Sequence, residues 1–428
     1  MCQHTFGGSG KRIGRICGIA RGASRGVNAD QSEFPSSPLR LQNVERVEQQ
    51  VSIMKLRFAH QIRAIAAISV IINHYWGIFF SPVVRSMIGT PASFVPFKPK
   101  YTQHVLSPAL GGFLYGVFGV GVFFLISGFV IPISLRNIST GQFLIRRFFR
   151  IYPVYWFCLL ISISMYFICS WYWSTPLSDR ISTPFVIRNL PLVHSAAGLP
   201  SLDFVCWSLA VELKFYVIFS LIFLIGKKAH QVVVLSVGFL ALCSVATFFS
   251  THGLNPESFF SYAVSDMKYM TFMFLGCLFY YVLYSELSAG VALGYGVIIY
   301  ALFVTINSFY EKGLFGALTK NYTYALILFC VCYLLRSRFK KNKIIDFLAD
   351  ISFPLYLVHS MIGYVAMPIL ISKGISYTFA WIISLCMTVL VASLVHKYVE
   401  IPVNNLGKKV SLLKDALICS PPHEAPPP

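Results

Sequence analysis

A chain of 428 residues that is 56% hydrophobic and only 12% charged lies outside the range of soluble domains, which carry about 25% charged residues. Its formal net charge of +19 would suit nucleic acid only as a basic face on a soluble domain. Here the lysines and arginines sit in short stretches between long apolar blocks, the positive-inside pattern of a membrane protein.

Residues 1–53 are rich in Gly, Ser and Arg, and no apolar run in them is long enough for a signal peptide. They are expected to be a disordered extension or to fall before the true start of translation, with Met54 as the alternative start. Ten apolar segments follow, near 61–80, 109–134, 151–173, 207–226, 231–250, 268–285, 290–310, 321–335, 348–372 and 377–399. A helix needs about 20 residues to cross the hydrocarbon core, and the eighth segment is the shortest. The expected fold is therefore an all-α integral membrane protein of about ten transmembrane helices. Residues 54–402 form the membrane domain and 403–428 a tail. With both termini in the cytoplasm, inner loops and tail carry fourteen basic residues and outer loops eight, which supports an even span count. Two outer loops, 81–108 and 174–206, are long enough to form a mouth.

Most of the eleven cysteines lie within apolar blocks, and the CxC pair Cys330/Cys332 is too close for a usual metal clip. No disulfide framework, metal site or permanently bound cofactor is expected. Ionisable residues inside spans are functional candidates because they are costly there. Arg63 and His74 lie eleven residues apart in the first span, about three helical turns, so they share a face while standing about 16 Å apart along the axis. A histidine takes and returns a proton near neutral pH, as a general base must. Arg146, Arg147 and Arg150 stand in an inner loop before the third span; the last two are three apart, and guanidinium groups bind phosphates bidentately. Glu212, at the start of the fourth span on the outer side, could orient a histidine or bind sugar hydroxyls. His359 lies inside the ninth span. The plain readings are a snorkelling Arg63, a positive-inside arginine cluster, a Glu212 paired with Lys214, and histidines that serve as helix-to-helix partners.

Taken in order, these segments resemble the bacterial membrane acyltransferase family three, O-acyltransferases that modify surface glycans. Arg63 with His74, FFLISGFVI at 123–131, RRFFRIYPVYW at 146–156, WSLAVELKFY at 207–216 and SFPLYLVHS at 352–360 match its five motifs, and Glu400 before Ile401 and Pro402 resembles its ending. Two departures are Leu213, where the family often has a second acid, and Ala64, where it usually has Gly. The resemblance implies a bacterial cytoplasmic-membrane enzyme. It would move an acyl group, acetyl in the first place, from cytoplasmic acyl-CoA to a hydroxyl of a glycan or lipid-linked sugar at the outer face. It implies further that Arg146, Arg147 and Arg150 hold the donor phosphates, that His74 is base or nucleophile, and that Arg63 steadies the donor or oxyanion. Glu212 and His359 would orient the acceptor or a ring. The Arg63-to-His74 distance leaves open whether the pantetheine arm reaches into the membrane or the acyl group is relayed. The rival reading, a transporter or flippase of a lipid-linked sugar, predicts inverted repeats and broken helices; no internal repeat is legible.

Overall fold

The computed structural model describes residues 38–106, 113–177, 181–192, 194, 201–252, 264–311 and 316–418, with backbone alone at 38–55, 104–106 and 414–418. The chain divides into two units, Met1–Ser52 and Ile53–Pro428; the second is the membrane bundle. The extension expected at 1–53 lies outside the described residues as far as 37, and from Pro38 the backbone is helical.

All ten expected segments are helices. They are α1 (Pro38–Trp76), α4 (Tyr115–Arg136), α5 (Thr140–Trp173), α7 (Cys206–Ile225), α8 (Ala229–His252), α9 (Met267–Leu283), α10 (Ala289–Ser308), α11 (Ala317–Leu334), α13 (Ser352–Ser372) and α14 (Tyr377–Val395). Between them lie the short helices α2 (Pro82–Ile88), α3 (Lys100–Leu106), α6 (Thr183–Asn189) and α12 (Lys343–Asp350), and a five-residue π-turn at His396–Glu400 leads into α15 (Ile401–Ile418). Among the described residues, nine helices are long and apolar enough to cross a membrane, and the tenth, α9, has 17 residues. The weakest span is thus the sixth and not the eighth. Seventeen residues is the lower limit for a crossing, and α9 is tolerated because eleven of them are buried among its neighbours.

Its main neighbour is α4, and glycine sets their distance. A Cβ on Gly128 would stand 1.8 Å from the Met273 carbonyl oxygen, and one on Gly276 would stand 2.3 Å from that of Leu125. Small residues let helix backbones meet where lipid supplies no hydrophobic drive to association, and the Cys277 thiol donates to the Gly128 carbonyl across this crossing at 3.2 Å.

The chain departs from expectation at α5, which spans 34 residues from Thr140. Ser139 and Gln142 form a capping box, and such a box fixes a helix start. Arg146, Arg147 and Arg150 are therefore helical residues, not loop residues. The expected tail after 402 is helical to Ile418 and docks on α5: a Cβ at Gly407 would lie 2.5 Å from the Phe149 Cβ.

A Gly128→Ala chain is expected to lose about 1–3 kcal/mol or more through overpacking, read as a lower melting point in detergent. Gly238→Ala, with nothing within 4 Å, should melt with the parent protein; equal melting of both variants would remove the crossing from its central place.

Candidate active site

Two cavities within the bundle hold the charged and basic groups, and they share the wall residues Val120 and Tyr356. The first, of about 70 Å³, is lined by Arg63, Ser127, Arg150, Ser208, Glu212 and Ser352, among others. Glu212 sits two turns inside α7, not at its mouth. Its carboxylate accepts from the Ser127 hydroxyl at 2.8 Å and from the Tyr216 hydroxyl. Lys214 turns elsewhere and pairs with Asp266. Neither Arg63 nor Arg150 makes a hydrogen bond, or an ion pair within 4.0 Å, to the described residues, so two guanidinium groups converge on one small cavity with Glu212 as the nearby acid. A cation inside a membrane domain is costly unless something polar meets it, so this cavity is suited to an anionic or strongly polar guest.

The other two arginines of the cluster are absorbed by the scaffold. Arg147 is buried, donates to the Ser134 hydroxyl at 2.7 Å and lies over the rings of Phe143 and Tyr216 at 4.9 and 5.1 Å. It fixes Tyr216, and through it Glu212, but lines a different groove from Arg150. Arg146 donates to the Ser411 hydroxyl of α15 at 2.8 Å and lines neither cavity. The three arginines expected together thus do not meet in one cavity: Arg150 joins Arg63, while Arg146 and Arg147 are held elsewhere by the protein. The spacing of three that joined Arg147 to Arg150 in sequence does not bring their head groups to one cavity, because guanidinium stems are long enough to leave a helix on different sides.

The second cavity, about 160 Å³, is lined by His74, Asn73, Val205, Trp207 and Tyr269, among others. Tyr75 positions the histidine from behind: its hydroxyl donates to the His359 carbonyl at 3.0 Å and meets the Thr388 hydroxyl at 2.8 Å, tying α1 to α13 and α14. His74 Nδ1 meets the Tyr364 hydroxyl at 2.5 Å, and its ring stands edge-on to that of His359 with centroids 4.8 Å apart. His359 is fully buried, and its Nδ1 faces the carbonyls of Tyr356 and Leu355 at 2.8 and 3.2 Å. Carbonyls only accept, so the proton of the neutral ring sits on Nδ1. Its Nε2 is left as a bare acceptor without a hydrogen-bond partner. Thus His74 and His359 are brought together, as are Arg63, Arg150 and Glu212, while Glu212 and His74 line separate cavities and His359 lines neither. The expectation that Glu212 orients a histidine ring finds no contact between them.

Residues 57–397 match the sequence profile of the acyltransferase domain. The chain belongs to that family. It is similar to the O-acetyltransferase OatA of Staphylococcus aureus, at 22% identity over 70% of this chain and 54% of that one. It is 23% identical to the putative peptidoglycan O-acetyltransferase YrhL of Bacillus subtilis, over 70% of this chain and 51% of that one. The peptidoglycan O-acetyltransferase OatA of Listeria monocytogenes is 32% identical over 35% of this chain and 26% of its own. The chain spans about half the length of the first two relatives. No solved structure matches it.

Several residues around the histidines have roles that only the fold shows. Tyr364 is one of 23 tyrosines, set beside His74 by the packing of two helices, and Tyr356, three residues before His359, is latched to α7. Asp203 lies in the loop before α7 and reads as an ordinary polar turn. In the structure it is 1% exposed and accepts from the Ser360 hydroxyl at 2.5 Å, the Ser162 hydroxyl at 3.0 Å and the Val205 amide at 3.4 Å. It thereby pins the segment carrying Val205 and Trp207 against the helix of His359.

Burial pushes the Asp203 carboxyl up to about 6, against the opposing pull of those hydroxyls. Its unfolded value is about 3.9. A raised carboxyl favours the fold fully below about pH 4 and loses that contribution as pH rises through about 6, a change of about 3 kcal/mol. Asp203→Asn, which has no proton to lose, is expected to gain stability relative to the parent protein as pH goes from 4 to 7. Parallel melting-point profiles would contradict this.

Proposed function

We propose that the protein is a membrane-bound O-acyltransferase. Its donor is an acyl-CoA, acetyl-CoA in the first place, presented at the basic, cytoplasmic end of the bundle. Its acceptor is a hydroxyl of a surface glycan or lipid-linked sugar at the opposite face, and its place is the bacterial cytoplasmic membrane. The observation that carries the reading is the pair of cavities divided by Tyr356 and Val120: unpaired guanidinium groups on one side, and on the other His74, which packs against the buried His359. The relatives' names, O-acetyltransferase and peptidoglycan O-acetyltransferase, agree with it.

The chemistry follows from the groups present. With Tyr364 accepting from Nδ1–H, the His74 Nε2 is free to act as base. It takes the proton of the acceptor hydroxyl as that oxygen bonds to the thioester carbonyl carbon. Arg63 and Arg150, in the first cavity, hold the anionic part of the donor rather than the oxyanion, which forms beside His74 in the second. Collapse breaks the C–S bond, and the imidazolium returns its proton to the leaving thiolate, giving the ester and free CoA. The free guanidinium groups suit an anionic donor.

In a deletion strain, the parent gene should restore base-labile acetyl ester on the cell-surface glycan. His74→Ala should lower it about 10²- to 10⁴-fold at equal protein level; equal restoration would make His74 structural. With membranes, Arg150→Ala is expected to raise the KM for acetyl-CoA on the order of tenfold or more through loss of a charge-assisted contact, and Arg146→Ala to leave it within about twofold. The reverse ranking would return the donor site to the sequence-based cluster.

A further inference from the structure

The two cavities are separated by little more than one side chain. Tyr356 lines both, with Val120 as its counterpart from α4. The ring stands edge-on to Phe123, centroids 5.6 Å apart, on the Arg63 side, and 5.8 Å from the His359 ring on the other. Its hydroxyl is fastened to α7: it meets the Ser208 hydroxyl at 2.6 Å and donates to the Val205 carbonyl at 3.2 Å. Tyr356 is also the residue whose carbonyl receives His359 Nδ1–H at 2.8 Å. Any group that passes from the guanidinium cavity to the histidine cavity by the shortest way must pass this ring, and whatever opens the passage must break or stretch two hydrogen bonds. Val120 and Phe123, which stand beside the ring, are apolar, so the opening at that point discriminates by volume rather than by polarity.

We propose that Tyr356, closed over Val120 and latched to α7 by Ser208 and Val205, is the acyl-size selector of this enzyme: the passage admits a two-carbon acyl group and rejects longer ones. This rests on the acyl-transfer reading above and adds a specificity residue to it. An apolar pocket separates substrates that differ by one methylene by about 10- to 200-fold, so two methylenes, acetyl against butyryl, leave ample range for the effect to be seen.

The test uses membranes from the deletion strain expressing the full chain, their own glycan as acceptor, and radiolabelled acetyl-CoA or butyryl-CoA. Base-labile label on the glycan is counted. The parent protein should incorporate acetyl over butyryl by on the order of a hundredfold. Val120→Ala and Tyr356→Leu, which widen the passage, should raise the butyryl-to-acetyl ratio by on the order of tenfold or more. Tyr356→Phe, which keeps the ring and cuts the latch, should raise it by about threefold. A ratio unchanged within about twofold in all three variants, with acetyl incorporation retained, overturns the selector while leaving acyl transfer intact. Should the Tyr356 variants fail to accumulate, Val120→Ala decides alone, since its Cβ truncation touches neither hydrogen bond. Absence of any incorporation by the parent protein, with the blotted protein present, overturns the acyl-transfer reading and the selector with it.

Discussion

A guanidinium group inside a hydrocarbon slab must meet water, a counter-charge or a polar guest, and the arrangement of this bundle follows from how four arginines meet that demand. Arg147 finds the Ser134 hydroxyl and two aromatic faces, and Arg146 finds Ser411 on the last helix. Both are satisfied by the protein itself and so hold α5 to its neighbours. Arg63 and Arg150 meet only a shared cavity with Glu212 nearby. Glu212 is itself occupied by Ser127 and Tyr216. The charge left over in that cavity is positive.

The histidine cavity obeys the complementary rule. His74 and His359 are buried, and a neutral imidazole is the cheaper form there. Each has one nitrogen fixed by a partner, Tyr364 for His74 and two carbonyls for His359. The remaining nitrogen of His359 is orphaned. Buried polar atoms without partners are uncommon. Tyr356 stands where the two cavities meet.

Much of this was legible in the sequence because bilayer thickness imposes a length on every helix. All ten long helices, nine of them long and apolar enough to span among the described residues, were readable from apolar runs, and Arg63, His74 and His359 stand out as ionisable residues within them. The errors share a physical origin. The reading began α5 at the first long apolar run and passed over the Ser139–Gln142 capping box, so three helical arginines became a loop. It weighed span eight by length, while α9 survives its 17 residues through burial that only packing shows. It grouped Arg147 with Arg150 by spacing, which says nothing of where a long side chain ends. Asp203 and Tyr364 carry no sequence signal, and Tyr356 stands in the SFPLYLVHS motif without its partners being legible there, since these come from elements more than 30 residues away: Ser162 for Asp203, Ser208 for Tyr356 and His74 for Tyr364.

The most direct measurement separates donor and acceptor by the membrane. Sealed vesicles bearing the protein would receive labelled acetyl-CoA only at the face that carries α15 and the basic 336–343 segment, with glycan acceptor only in the other compartment. Base-labile label on the acceptor across the membrane, lost with His74→Ala, is the predicted result. Label confined to acceptor placed on the donor's own side would contradict a path running from the arginine cavity past Tyr356 to the histidines.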